Sequence, residues 1–180
     1  MPRLIAVVGG GIWMLLLLAV VLPRINGQPD AGDGNCPRLC SCLGDVIDCS
    51  EKALDALFHI PSWVGNLDLS TNRLGPDAVQ SQVSNLNKLQ ILNINHNNLG
   101  RIPRLAGMTN LVRLLLANNG IEALEVDALT PLTTLRFLDL SRNNIKEIGF
   151  GSFPAKNSLQ YLNLNFNKLT ALTKGTFQRL

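Results

Sequence analysis

Leu89-Gln90-Ile91-Leu92-Asn93-Ile94-Asn95-His96-Asn97-Asn98-Leu99 decides the fold of this chain. Counting Leu89 as position one, its apolar residues fall at positions one, four, six and eleven, with asparagine at nine. The same frame returns at Leu111 to Ile121, Leu135 to Ile145 and Leu159 to Leu169. A variant with Val64 in first place runs from Val64 to Leu74. The ninth-position asparagines, Asn72, Asn97, Asn119, Asn143 and Asn167, lie 25, 22, 24 and 24 residues apart. Five copies in register are one structural unit repeated, and units of this length build coils in which each turn covers the next.

Each turn needs a short strand, and the alternation at positions four to six supplies it. Leu92 and Ile94, or Leu138 and Leu140, point into the core, while Asn93 or Asp139 points the other way. The bend that follows leaves backbone groups inside the coil where water cannot reach. Asparagine carries an acceptor and a donor on a short stem and can bridge them. The five asparagines should therefore form a ladder, each rung worth roughly 1–3 kcal/mol in buried groups that would otherwise go unpaired.

Further apolar marks close the return path. Leu124, Ile148 and Leu172 sit three residues past position eleven, and Leu129, Phe153 and Phe177 follow as an expected bulky row under the convex side. Each is worth about 1.5–3 kcal/mol if a neighbouring turn covers it. Leu132 and Leu180 stand three residues beyond the bulky mark, but Lys156 takes that place in between and is expected to face solvent in a looser return. In the first return, Val79, Val83 and Leu86 at helical spacing behind Pro76 and Asp77 predict a short helix over Ala78 to Leu86.

The pattern L-x-x-L-x-L-x-x-N-x-L resembles that of leucine-rich repeat proteins. The resemblance implies an α/β-type horseshoe solenoid, with short parallel strands on the concave face and irregular or short helical returns on the convex face. Residues 60–180 are read as about five repeats, the last incomplete. Phe177 begins another return, so more repeats are expected beyond the final strand.

The 180 residues are 46% apolar, enough for one well-buried core. The formal charge is +3, and it falls to +1 without residues 1–27, which hold Arg3 and Arg24. So near-neutral a chain offers no footprint for nucleic acid or for an acidic membrane surface.

Residues 1–27 read as a secretory signal: Arg3 as the basic start, Ile12 to Leu22 as the apolar core, Pro23 as its break. The competing reading is an uncleaved anchor, since Leu4 to Leu22 could just cross a bilayer. Gly9-Gly10-Gly11 and the minimal charged flank argue against it. Residues 28–35 are a polar linker.

All four cysteines lie within 36–49, in a segment, 36–59, read as an amino-terminal cap. Four thiolates could hold zinc, but the single residue between Cys40 and Cys42 suits the usual paired knuckles poorly. A secreted chain also meets an oxidising compartment. Disulfides are favoured, and the spacing alone allows three pairings. A hairpin stapled in this way would cover the exposed edge of the first repeat, with Val46 to Cys49 as its strand against the main sheet.

Cys36-Pro37 with Cys40, Cys42 and Cys49 resembles the cysteine-flanked amino-terminal cap of extracellular leucine-rich repeat proteins, which implies the pairs Cys36–Cys42 and Cys40–Cys49. More narrowly, Cys40-Ser-Cys42-Leu-Gly-Asp45, Asp48-Cys49-Ser50, Ile60-Pro-Ser-Trp63-Val64 and Leu67-Asp-Leu69-Ser70 resemble the leucine-rich repeats and immunoglobulin-like domains family of single-pass receptors. That likeness implies a cell-surface ectodomain that binds extracellular proteins or receptor ectodomains and restrains growth-factor receptor tyrosine kinases. The immunoglobulin domains and membrane span of that family would lie in a segment outside this chain. A secreted matrix or proteoglycan-type structural protein has the same cap and repeats and is the alternative. Trp63, beside the first repeat, is read as packing the cap onto the core rather than as a binding aromatic.

No catalytic constellation is visible, so the chain reads as no enzyme and calls for no cofactor. His59 and His96 lack a paired acid or an activated nucleophile, and the acidic residues lack calcium-loop spacing. No Asn-x-Ser/Thr acceptor is present.

The candidate binding surface follows from the frame. Positions three, five, seven and eight are expected on the outer side of the strands. Ile91, Leu115, Phe137, Tyr161 and Phe166 would then form an apolar and aromatic patch flanked by Arg113 and Arg142, residue types that dominate protein–protein hot spots. The competing reading is that these side chains merely stack across strands.

Overall fold

The structure is a computed structural model that describes residues 36–126, 128–149, 151–153, 156–172 and 175–177. The signal and linker readings, Asp127 and Leu180 lie outside these residues. The chain winds as a succession of strand, bend and return. Its strands are β1 (Ser41–Leu43), β2 (Val46–Asp48), β3 (Asn66–Asp68), β4 (Ile91–Asn93), β5 (Arg113–Leu115), β6 (Ala123–Leu124), β7 (Phe137–Asp139), β8 (Glu147–Ile148) and β9 (Tyr161–Asn163). The main sheet has seven strands in the order β1-β2-β3-β4-β5-β7-β9. Among the described residues only the cap hairpin β1–β2 is antiparallel; every later pair is parallel and in strict register, Leu67 beside Leu92, Leu92 beside Leu114, Leu114 beside Leu138, Leu138 beside Leu162. One copied unit per turn therefore places like residues side by side.

The hydrogen-bonded strands span positions three to five, one residue earlier than the alternation at four to six suggests. Position six remains in the core, as Ile94 and Leu140 are fully buried. The backbone leaves the extended region soon after. Position eight is left-handed in every turn and in the cap: Glu51, Thr71, His96, Asn118, Arg142 and Phe166 all have φ between 55° and 58°. Apart from His96 and Asn118 these are not residue types enriched in that region, so the bend is imposed by the coil and not by these side chains.

The core runs down the middle of the coil through Leu67, Leu92, Leu114 and Leu138, and beneath them Leu74, Ile121 and Ile145, all fully buried. Its cap end is sealed by Ile47 and Cys49, both at 0% exposure. Disulfides join Cys36 to Cys42 and Cys40 to Cys49, and the latter ties the hairpin to a residue inside the core. Trp63 is half-buried against this core.

The first return holds the single helix among the described residues, α1 (Pro76–Val83). It starts earlier than predicted because proline is well placed in a first helical turn, and it ends at Val83, with Leu86 buried beyond it. Val79 and Val83 face the core. The later returns are extended, and two of them pair as the parallel β6–β8 ladder, which the apolar frame did not announce. Leu129 and Phe153 of the bulky row are buried, and Lys156 is exposed. Leu172 and Phe177, by contrast, are 55% and 38% exposed. No described turn covers them, although Phe177 still packs against Phe153 with ring centroids 6.1 Å apart.

Candidate protein-binding face

Two sets of functional-type side chains meet on the sheet, one inside the bend and one outside it. Inside, the asparagines form a ladder that points backwards along the chain. Each Nδ2 donates to the position-six carbonyl of the preceding turn: Asn72 to Cys49, Asn97 to Leu69, Asn119 to Ile94, Asn143 to Leu116, Asn167 to Leu140, at 2.8–3.0 Å. The Oδ1 accepts from the position-eleven N–H of the preceding turn: Leu54 to Asn72, Leu74 to Asn97, Ile121 to Asn143, Ile145 to Asn167. One rung differs. Asn119 Oδ1 is buried with no hydrogen-bond partner among the described residues.

Position five has a duty that the repeat frame does not reveal. Its carboxylate or amide oxygen accepts the N–H two residues on, closing the start of the bend: Asp48 to Ser50, Asp68 to Ser70, Asn93 to Asn95, Asp139 to Ser141, Asn163 to Asn165, at 2.8–3.1 Å. At Asp48 the hydroxyl and N–H of Ser50, and then the charge of Lys52, hold the carboxyl below its usual range. Leu115 cannot do this, and Asn95 of the preceding turn supplies the acceptor to Ala117 N–H instead, at 2.7 Å. Position seven is correspondingly drawn inward. In two turns it is nearly closed, Ala117 and Ser141 being each only 8% exposed, whereas Ser70 and Asn95 are half-buried and Asn165 is exposed.

Outside, the strand register brings Arg113, Phe137 and Tyr161 into one column with Ile91 at its head. The Arg113 guanidinium lies 4.8 Å from the Phe137 ring centroid, and Phe137 stacks on Tyr161 at 4.3 Å with the rings 8° from parallel. A second column at position eight sets Arg142 over Phe166 at 4.7 Å. Tyr161 and Phe166 are 48% and 73% exposed, while Ile91, Leu115 and Phe137 are half-buried. Among the described residues neither arginine has a carboxylate within 4.0 Å. His96, at position eight, is exposed with Nδ1 2.8 Å from Asn118 Nδ2, and no described cluster of three or more His, Cys, Asp or Glu is placed to hold a metal.

The likeness to known proteins agrees with this architecture. A family model described as leucine rich repeat matches residues 109–169 and 133–180, and a second of the same description matches 88–107. Human leucine-rich repeats and immunoglobulin-like domains protein 3 is 42% identical over 120 residues, covering 59% of this chain and 11% of that protein. The mouse protein 2 of the same name is 35% identical over 133 residues, covering 67% of this chain and 12% of that protein. Human amphoterin-induced protein 1 is 30% identical over 93 residues, or 51% of this chain and 19% of that protein. The chain thus spans between a tenth and a fifth of the length of these relatives. Among solved structures, the octameric complex of Latrophilin 3, Unc5D and FLRT2 (LRR) matches with a TM-score of 0.60 at 20% identity, covering 80% of this chain and 51% of that chain; at that identity the likeness is one of fold. With cap, ladder and register in place, the chain belongs to the leucine-rich repeat proteins, of the type found in the leucine-rich repeats and immunoglobulin-like domains proteins.

Proposed function

We propose that this chain is the protein-binding part of a cell-surface receptor ectodomain, and that it engages other extracellular proteins through the Arg113–Phe137–Tyr161 and Arg142–Phe166 columns. The observation that carries the reading is the pairing of exposed aromatic area with arginines that have no carboxylate partner in the described chain. Folding by itself gains little from such an arrangement on an open sheet face, whereas rigid aromatics beside arginine are what interfaces concentrate. Similarity to the leucine-rich repeats and immunoglobulin-like domains proteins supports a finer reading, in which the partners are growth-factor receptor tyrosine kinase ectodomains and the effect is restraint of their signalling.

The test is a complete ectodomain carrying Phe137→Ser and Tyr161→Ser, titrated against immobilised receptor tyrosine kinase ectodomains and melted in parallel. Binding is expected to fall at least about tenfold, the effect of losing one hot spot. The melting point should move only by what an exposed stack supplies, about 0.5–1.5 kcal/mol. Unchanged binding with a large loss of stability would show that the column serves only the sheet.

A further inference from the structure

Asn119 is followed by Gly120, the one Asn-Gly step among the described residues. We propose that this step is a modification site gated by folding: closed in the coil, and open to spontaneous deamidation whenever the turn unfolds.

The chemistry needs only water and base. The Gly120 backbone nitrogen gives its proton to solvent hydroxide and bonds to Asn119 Cγ. The Cγ–Nδ2 bond breaks, the nitrogen takes a proton from water, which regenerates the hydroxide, and leaves as ammonia, and a five-membered imide remains. Water then opens the imide to aspartate or isoaspartate. Glycine after the asparagine presents no side chain to hinder ring closure in a free chain.

The coil holds the Asn119 side chain out of the reaction, although Gly120 itself is exposed. Asn119 is 2% exposed. Its Nδ2 is held by the carbonyls of Ile94 and Ala117 at 2.9 and 3.2 Å, and its own N–H donates to Asn143 Oδ1 at 3.0 Å. Its carbonyl accepts from Gly100 N–H at 3.0 Å. The side chain is thereby fixed against two carbonyls of the bend and shut away from water.

The same geometry makes the product unable to return. A carboxylate in this place sets one oxygen against the Ile94 and Ala117 carbonyls, which offer no hydrogen. Its other oxygen occupies the place of Oδ1, which already lacks a donor. Neither oxygen of a buried anion is satisfied, and such an arrangement is strongly disfavoured. At Asn143 the position differs, since its Oδ1 accepts from Asn119 and Ile121. An unfolding episode long enough for the imide to form therefore removes the molecule from the folding pool for good.

The disulfide-bonded chain is held at mildly alkaline pH with and without urea, and the Asn119 peptide is mapped by mass spectrometry. Conversion in urea is expected to be at least about tenfold faster than in native buffer, where the buried rung opens only rarely. In urea, Gly120→Ala should slow it by about tenfold, and its strain at φ +69° is irrelevant there because the chain is unfolded. Independently, Asn119→Asp should be poorly secreted or melt far below Asn118→Asp, an exposed neighbour. Equal conversion rates in the two buffers, or equal behaviour of the two aspartate variants, would overturn the proposal.

Discussion

Asn95 Oδ1 accepts the hydrogen bond of Ala117 N–H from the next turn of the coil, at 2.7 Å. The contact replaces the one that an aspartate or asparagine at position 115 would have made within its own turn. It is this loan that lets Leu115 stand as an apolar residue in a column otherwise made of Asp48, Asp68, Asn93, Asp139 and Asn163.

Removing the loan should expose the debt. Asn95→Ala leaves the N–H of a nearly buried residue unpaired and is expected to cost about 1–3 kcal/mol in denaturant unfolding. Adding Leu115→Asp restores an acceptor inside the turn, so the double variant should recover part of that loss. Asn165→Ala, whose side chain makes no such cross-turn bond in the described residues, is the control and should be near neutral.

Rungs of the asparagine ladder are unequal. Asn143 is 5% exposed and makes five hydrogen bonds through its side chain. Asn167 is half-buried, with three. Asn143→Ala is expected to lower stability by about 2–4 kcal/mol and Asn167→Ala by about 1, following the number of buried groups left unpaired. Equal losses, measured by urea titration, would contradict the bonding pattern.

The two disulfides differ in the same way. Cys49 is fully buried, whereas Cys36 is exposed. Converting Cys40 and Cys49 to serine should cost about 2–5 kcal/mol and curtail secretion. The equivalent change at Cys36 and Cys42 should be milder, because their loop of six residues closes on the surface. Secretion yield and melting of the two double variants check the order.

Asp48 gives the cap a dependence on acid. Its folded pKa is lowered by Ser50 and Lys52, so the stability it contributes is fully present above the ordinary aspartate value, about 4. It is lost as pH falls through the lower, folded value. Asp48→Asn keeps the acceptor and removes the charge. The variant should melt slightly below the natural chain at pH 7, and the gap should close as pH falls through the lowered, folded value.

Thr71 offers a change in the opposite direction. A β-branched side chain at φ 56° is poorly suited to the left-handed region. Thr71→Asn should raise stability by up to about 1 kcal/mol, since asparagine visits that region more readily and the Thr71 N–H bond to the Asn95 carbonyl is a backbone contact that survives. A lowered melting point would show that the threonine is held by something other than the bend.

Much of this was legible because the repeat multiplies its own signal. Leu92, Ile94 and Asn97 mean little once, but five copies fix which residues are inside, how turns register, and where the buried backbone needs an amide. What stayed hidden acts between turns or through the backbone. The Asn95–Ala117 bond joins residues 22 apart and compensates for a leucine that looks ordinary in its own frame. The left-handed bend falls on Glu51, Thr71, Arg142 and Phe166, whose identities give no hint of it. The β6–β8 ladder arises where two extended returns happen to lie in step. On the outer face, the sequence placed Arg113, Phe137 and Tyr161 in one column, but only the structure shows the two rings stacked and the guanidinium over Phe137.

The backward reach of the ladder gives the coil a direction in time. The Leu74, Ile121 and Ile145 N–H groups find their acceptors only in asparagines made 22 or 23 residues later. A ribosome delivers the cap first and each asparagine afterwards, so each of these N–H groups waits for the turn that follows it. Translation and closure proceed in the same direction, like a zip drawn from the cap outward, with one open tooth always at the growing end.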